Sequence, residues 1–232
     1  MQTPALREVQ IQCGYLPHRP ASVLYHSGNT IVLCNASLEE SVPPWMTGSG
    51  RGWVTAEYNM LPGSTDPRKR RERGGKVDGR TTEIQRLIGR SLRAVVDLDR
   101  LGERSITVDC DVLQADGGTR TASITGGFVA MARAIGQAMP QAIIGDGPIR
   151  DTVAAISVGV VDGACDLDLD YQRDFAAEVD MNVVMTGSGR YVEIQGTGEE
   201  ATFDEDQLSQ LLKLARSGIE QLTAYQKQVL GS

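Results

Sequence analysis

Apolar and polar positions alternate in two short runs near the start of the chain, Ser22 to Tyr25 and Ile31 to Ala36. The pattern predicts two strands joined by the turn-rich link His26-Ser27-Gly28-Asn29. Trp53 to Tyr58 reads as a third strand. From Pro62 to Asp78 the periodicity disappears among proline and basic residues, which predicts a mobile loop. Ile84, Leu87, Ile88, Leu92 and Val95 then recur at helical spacing behind Thr81 or Thr82 as cap, so Arg80 falls at a helix start. Ile106, Val108, Cys110 and Val112 alternate with polar residues in a strand that runs into a glycine turn. The following helix buries Ile124, Phe128, Met131 and Ile135.

In the second half, Val153 to Val161 and Cys165 to Tyr171 flank Asp162-Gly163, a strong two-residue hairpin signal. Asp166, Asp168 and Asp170 alternate with Cys165, Leu167, Leu169 and Tyr171, which puts the three carboxylates on one solvent face with no metal. Met181 to Thr186 and Arg190 to Gln195 form a further hairpin around Gly187-Ser188-Gly189. A long closing helix follows, capped at Asp204 with Gln207 three residues on, and built on Leu208, Leu211, Leu212, Ala215, Ile219 and Leu222. Two β-rich blocks, each followed by helices, make an α/β (α+β) chain. With no internal repeat and no low-complexity linker, one domain over residues 1–232 is the expectation.

Composition narrows the class. No apolar run approaches the roughly 20 residues of a membrane span, and the N-terminus lacks the basic-then-apolar plan of a signal peptide, so a soluble cytoplasmic protein is expected. Cys13, Cys34, Cys110 and Cys165 are scattered without C-x-x-C pairing and read as buried reduced thiols. Neither His18 nor His26 has an acid or nucleophile beside it, which argues against histidine-based nucleophilic catalysis.

The formal charge of −7 suits a polyanion-binding protein poorly until its distribution is considered. Between Arg68 and Lys76 stand six basic residues (Arg68, Lys69, Arg70, Arg71, Arg73, Lys76) against Glu72 alone. Between Asp162 and Asp206 thirteen acids face only Arg173 and Arg190. A basic loop on an acidic body steers a polyanion to one place, because the Debye length is only about 8 Å at physiological salt. A solvated charge run is the plainer reading of the same residues.

Candidate chemistry concentrates in Asp116 to Gly126, where a tight glycine turn delivers Arg120 and two hydroxyls to the start of an apolar helix. Backbone N–H groups at a helix start, the positive end of the macrodipole and glycines that admit a close ligand all favour phosphate. An ordinary N-capped turn accounts for this run equally well.

The neighbouring segments change that balance. Gly79 to Ile88, Gln114 to Thr125 and Ala177 to Thr186 together resemble the ribonuclease PH family, bacterial phosphate-dependent 3′ exoribonucleases that trim transfer RNA precursors. Trp53 to Tyr58 with Met60-Leu61-Pro62, Ala154 to Gly159 and Glu193 to Glu199 extend the match, which runs from about Leu6 to about Leu230. The resemblance implies a ribosomal-protein-S5-domain-2-like fold of mixed sheets with packed helices, in the family assembled as a hexameric ring of three dimers. It implies phosphate at Gly118, Thr119 and Arg120, with Arg80 reaching the substrate phosphates. It implies Mg²⁺ on Asp174 and Asp180, which also assist protonation of the leaving 3′ oxygen; on the residues alone, two aspartates among so many acids carry little signal. The basic loop matches the pattern Thr-x-x-Arg-x-x-Arg-Glu at Thr65, Arg68, Arg71 and Glu72, where the family grips the RNA body. Three departures stand out: Gly63 in place of a common arginine, Phe175 in place of a usual serine, and Glu8 where proline is common.

The expected activity is reversible phosphorolysis: inorganic phosphate as co-substrate, nucleoside 5′-diphosphates as products, precursor 3′ ends as substrate. The alternative is a catalytically silent RNA-binding or structural ring subunit. Such subunits characteristically lose the phosphate arginine or the aspartates, and Arg80, Arg120, Asp174 and Asp180 are all present. A hydrolytic metal nuclease would need a denser metal cage and would leave the glycine cradle without purpose.

Overall fold

The computed structural model describes residues 4–71, 77–140, 144–198 and 201–231. Strands β1 (Val9–Cys13), β2 (Val23–Ser27), β3 (Thr30–Glu39) and β4 (Trp53–Met60) precede helix α1 (Gly79–Arg93) and the single turn α2 (Leu98–Leu101). Then come β5 (Ser105–Gln114), α3 (Thr119–Ala138), β6 (Val153–Val161), β7 (Ala164–Leu167), α4 (Tyr171–Ala176), β8 (Val179–Thr186), β9 (Tyr191–Gly198) and α5 (Glu205–Leu230). The first five strands form one sheet in the order β1-β2-β3-β5-β4, and the last four a second in the order β7-β6-β8-β9. Among the described strands only the β4–β5 pair is parallel.

Burial follows the residue pattern. On β3 and β5 every second side chain is buried, including Val32, Cys34 and Ala36 facing Val108, Cys110 and Val112, so one face of the first sheet carries the core. That core packs on α1 and α3 and reaches Val153, Ala155 and Val184 of the second sheet. The opposite face of the second sheet, with Ala154, Ile156 and Val158, packs on Leu211, Ala215, Ile219 and Leu222 of α5. The layers therefore run sheet, α1 with α3, sheet, α5. Because β6 is covered on both faces, its sequence is a nearly unbroken apolar run. α3 is covered almost all round, so Val129, Ala130 and Ala132 are buried together with the four residues that the helical spacing marks. Gln226 of α5 is fully buried and donates to the carbonyls of Thr125 (3.0 Å) and Val153 (2.9 Å), pinning three layers with one side chain.

Several expectations are met in detail. Asp162 and Gly163 both take positive φ in the β6–β7 turn, and Asp204 and Gln207 form a reciprocal capping box on α5. Others are corrected. The α1 cap is Asp78, whose carboxylate accepts from the Thr81 N–H at 2.6 Å, three residues before the threonines can act. The stretch from Pro62 starts as an ordered 3-10 turn with Pro62 and Ser64 buried, and the Ser64 carbonyl accepts from the Ala115 N–H. Glu72, Arg73 and Lys76 of the basic run lie outside the described residues, as does Glu199. All four cysteines are free, but only Cys34 and Cys110 are fully buried.

The largest correction concerns Asp166, Asp168 and Asp170. β7 ends at Leu167, and Asp168 takes φ 56°, which breaks the strand alternation and turns its side chain inward. Asp168 is 2% exposed and meets the Arg7 guanidinium at 2.6 Å. Its carboxylate also accepts from the Arg7 N–H (2.9 Å) and the Ser27 hydroxyl (3.2 Å). Asp166 and Asp170 instead pair with Arg173, at 2.7 and 3.2 Å. Arg7 continues across the seam, donating to the Asp116 carbonyl at 2.6 Å. Gly117 and Gly118 follow with φ of 73° and 65°, and Gly117 lies so close to the chain after β7 that a Cβ there would come within 2.4 Å of the Leu169 carbonyl oxygen.

Two substitutions test this seam. Asp168→Ala leaves the Arg7 guanidinium buried without its counter-charge and should cost about 3–5 kcal/mol in denaturant unfolding. Gly117→Ala meets both the backbone clash and the positive φ and should cost more than about 1 kcal/mol. Gly63→Ala, where a Cβ meets no atom within 4 Å, should stay within about 0.5 kcal/mol of wild type.

Candidate active site

One cavity of about 840 Å³ opens where the two halves meet, lined by Arg68, Arg80, Gly118, Thr119, Arg120, Asp174 and Asp180 together with Ser157, Asn182, Gln195 and Thr197. All six residues singled out from the sequence on the reaction side thus share one chamber with Arg68, the arginine at the head of the basic loop. Arg71 is exposed and does not line it.

The first wall is the glycine turn and the start of α3. Among the described helices α1, α2, α4 and α5 each begin under an aspartate side chain, Asp78, Asp97, Asp170 and Asp204. α3 is the exception: its N-cap is Gly118 in the left-handed conformation, and no side chain caps it. The turn is therefore not an ordinary N-capped one, and its N–H groups and positive dipole end face the cavity. Thr119 is held by a 2.9 Å hydrogen bond between its hydroxyl and that of Tyr58. Burial pushes the Tyr58 hydroxyl pKa up, so it stays neutral and serves as a fixed hydrogen-bond partner.

Arg120, in the first turn of α3, is mostly buried. It donates to Gln195 Oε1 at 2.7 Å and lies 3.6 Å from Glu83 of α1. These contacts orient the guanidinium while leaving part of its five-donor fork for a ligand. Arg80 enters from the first turn of α1 and is exposed. Lys69 also lines the cavity and pairs with Asp78 at 3.2 Å.

Facing them is an acidic wall. Asp180 is the second residue of β8, flanked across the sheet by Gly159 and Thr197. Asp174 lies on the short helix α4 rather than directly after a strand. α4 is tied to the glycine turn by Asp116, which accepts from the Tyr171 N–H at 3.2 Å through one carboxylate oxygen and from the Asn29 amide at 3.1 Å through the other. Hard oxygen donors opposite a cationic phosphate site suit Mg²⁺, which takes one or two carboxylates and fills its remaining positions from water and substrate phosphate. Among the described residues no group of three or more His, Cys, Asp or Glu gathers as a metal cage, so a self-sufficient protein metal centre does not fit and a shared one does.

Ser157, Asn182, Gln195 and Thr197 escaped sequence reasoning as site residues. Asn182 pairs in register with Ser157 on one side and Gln195 on the other, so the polar residues form a row across the second sheet. The signal was available: Asp180 and Asn182 are polar at alternate positions of the otherwise apolar β8, which marks one face as wet.

Comparison with known proteins identifies the family. A family model described as the 3′ exoribonuclease family, domain 1, matches residues 5–135, and the domain 2 model matches residues 151–218. A ribonuclease PH from Rhodopirellula baltica is 69% identical over 96% of this chain and 92% of its own length. One from Bacillus subtilis is 58% identical over 99% of this chain and 95% of its own length. Among solved structures, rice (Oryza sativa) Rrp46 superimposes with a TM-score of 0.78 at 16% identity, over 99% of this chain and 98% of that one. A chain of the Archaeoglobus fulgidus exosome with RNA bound to the active site gives 0.78 at 19% identity, over 95% and 89%. At those identities the structural likeness speaks for the fold alone. With both family models matched in sequence order and near-full-length relatives sharing more than half of its residues, the chain belongs to the 3′ exoribonuclease family, within its ribonuclease PH group.

Proposed function

We propose that this chain is a phosphorolytic 3′-to-5′ exoribonuclease that trims transfer RNA precursors, using inorganic phosphate to release nucleoside 5′-diphosphates in a reversible transfer. The carrying observation is that an uncapped helix start with two arginines shares one cavity with two carboxylates. The ribonuclease PH relatives supply the substrate class.

The chemistry asks little of a general base. Phosphate is itself the nucleophile and largely dianionic near neutral pH, so positioning and charge neutralisation do most of the work. The N–H groups after Gly118, with Thr119 and Arg120, hold the attacking phosphate, and Arg80 binds the scissile phosphodiester. A guanidinium fork suits both, since it grips phosphate oxygens bidentately and never loses its charge. Asp174 and Asp180 would hold Mg²⁺ together with substrate phosphate oxygens; when bound, the ion supplies Lewis-acid neutralisation of the charge that builds in the transition state. The same carboxylates assist protonation of the departing 3′ oxygen. Arg68 and Arg71 grip the RNA backbone outside the reacting centre.

The proposed assembly is a homohexameric ring of three dimers, by analogy with the ring-forming relatives. The proposed compartment is the cytoplasm, which suits four free thiols. Among the described residues no helix is long and apolar enough to cross a membrane.

Two predictions separate the parts. Arg120→Ala should raise the phosphate concentration needed for half-maximal turnover by about tenfold or more, since a charge-assisted grip on the nucleophile is lost. Asp180→Asn should lower kcat at least about a hundredfold with RNA affinity near wild type. Near-wild-type turnover by Asp180→Asn at saturating Mg²⁺ and phosphate would remove Asp180 from the chemistry. For the basic loop, Arg68→Gln with Arg71→Gln should flatten the salt dependence of log K for single-stranded RNA by about 0.7 per lost contact, roughly 1.4 for the pair. An unchanged slope would return these residues to a solvated charge run.

A further inference from the structure

Helix α4 carries more than Asp174. Tyr171 and Phe175 stand at positions i and i+4 with Asp174 between them at i+3, so all three project from one side of the helix. Tyr171 lines the cavity. Phe175 stands one turn further out and is 81% exposed, the most exposed large apolar side chain among the described residues, and Tyr171 is 58% exposed. Their ring centroids lie 6.2 Å apart with planes inclined by 31°. An exposed pair of adjacent aromatics is costly unless something covers it, and this pair sits at the rim of the chamber where the chain end must react.

We infer that Tyr171 and Phe175 form a stacking platform for an unpaired RNA base next to the scissile phosphate, a subsite that rests on the exoribonuclease reading and deepens it. Three features select a base over other occupants. The platform is continuous with the cavity through Tyr171, so a chain whose terminal phosphodiester lies between Arg80, Arg120 and Asp180 has nucleotides within reach of the rim. Phosphate is disfavoured at the platform itself, since Asp170 and Asp174 flank Tyr171 and Phe175 along the same short segment, and Arg173 of that helix is engaged by Asp166 and Asp170. The phosphates are drawn instead to Arg68, Lys69, Arg80 and Arg120 on the facing wall. What remains for the rings is the neutral flat face of a base, which stacks on aromatics irrespective of sequence. α4 is also held rigidly, by the Asp116 bond to the Tyr171 N–H and by the Asp170 cap, so the platform is pre-set rather than recruited.

The test uses the full-length protein and short single-stranded RNAs in phosphate-free buffer, each intact or with one terminal nucleotide in turn made abasic. Phe175→Ser should weaken binding of intact RNA about tenfold. Phe175→Trp should keep wild-type affinity. For the RNA abasic at the stacked position, wild type and Phe175→Ser should bind alike. The KM for phosphate and the Tm should not move, because Phe175 is exposed and touches neither the glycine turn nor the core. Equal binding of intact RNA by wild type and Phe175→Ser, or the same loss with every abasic RNA, would overturn the platform. So would a changed oligomeric mass for Phe175→Ser with unaltered RNA affinity, which would make the patch a contact between copies. RNA shortening by wild type in the absence of phosphate would instead sink the phosphorolytic reading, and the abasic comparison would still decide the platform on binding alone.

Discussion

The site depends on a buried ion pair. Arg7 and Asp168 are far apart in the sequence, and their contact fixes how the glycine turn meets the chain that leads into α4. Burying two charges is expensive, and further bonds support this pair: the Arg7 N–H and the Ser27 hydroxyl donate to Asp168 and the Asp116 carbonyl accepts from Arg7, with Arg7 Nε left without a partner among the described residues. Asp116 extends the seam by holding the first N–H of α4. The spacing between the glycine turn and Asp174 is therefore set by polar contacts at the seam, with Gly117 supplying the close approach that no side chain would permit.

With that spacing fixed, electrostatics divide the labour. The chain is acidic overall, yet the wall formed by α1, the basic loop and the start of α3 gathers Arg68, Lys69, Arg80 and Arg120 against the uncapped helix end. The opposite wall offers Asp174 and Asp180. In the proposed reaction two polyanions must be held together, which requires their charge to be met from both sides, by guanidinium groups on one and by a metal that the carboxylates would share on the other. The chamber brings cationic and acidic walls face to face.

Much of this was legible in the sequence, and the residues show why the rest was not. Alternation on β3 and β5, the double-positive-φ turn at Asp162-Gly163 and the capping box at Asp204 are local devices, and local patterns reveal them. The glycine turn was readable either as an anion site or as an ordinary N-capped turn, and the structure removes the second reading: α3 has no side-chain cap, while the other described α-helices each carry an aspartate. Asp168 was misread because a non-glycine residue at positive φ leaves no mark in the sequence, and a single such residue inverts the in-out pattern that follows. Asp174 and Asp180 were conspicuous only through family resemblance; their approach to Arg80 and Arg120 is a long-range fact created by the seam. Ser157, Asn182 and Gln195 were missed because a polar row running across a sheet is visible only once the register of three strands is known.

In the proposed reaction inorganic phosphate, held at Gly118, Thr119 and Arg120, is the group that attacks the RNA chain. Mass analysis of the nucleotides released from an RNA incubated with oxygen-18-labelled inorganic phosphate tests it most directly. Phosphorolysis should release nucleoside 5′-diphosphates whose terminal phosphoryl group carries the label. Unlabelled nucleoside monophosphates, with the label left in free phosphate, would contradict it.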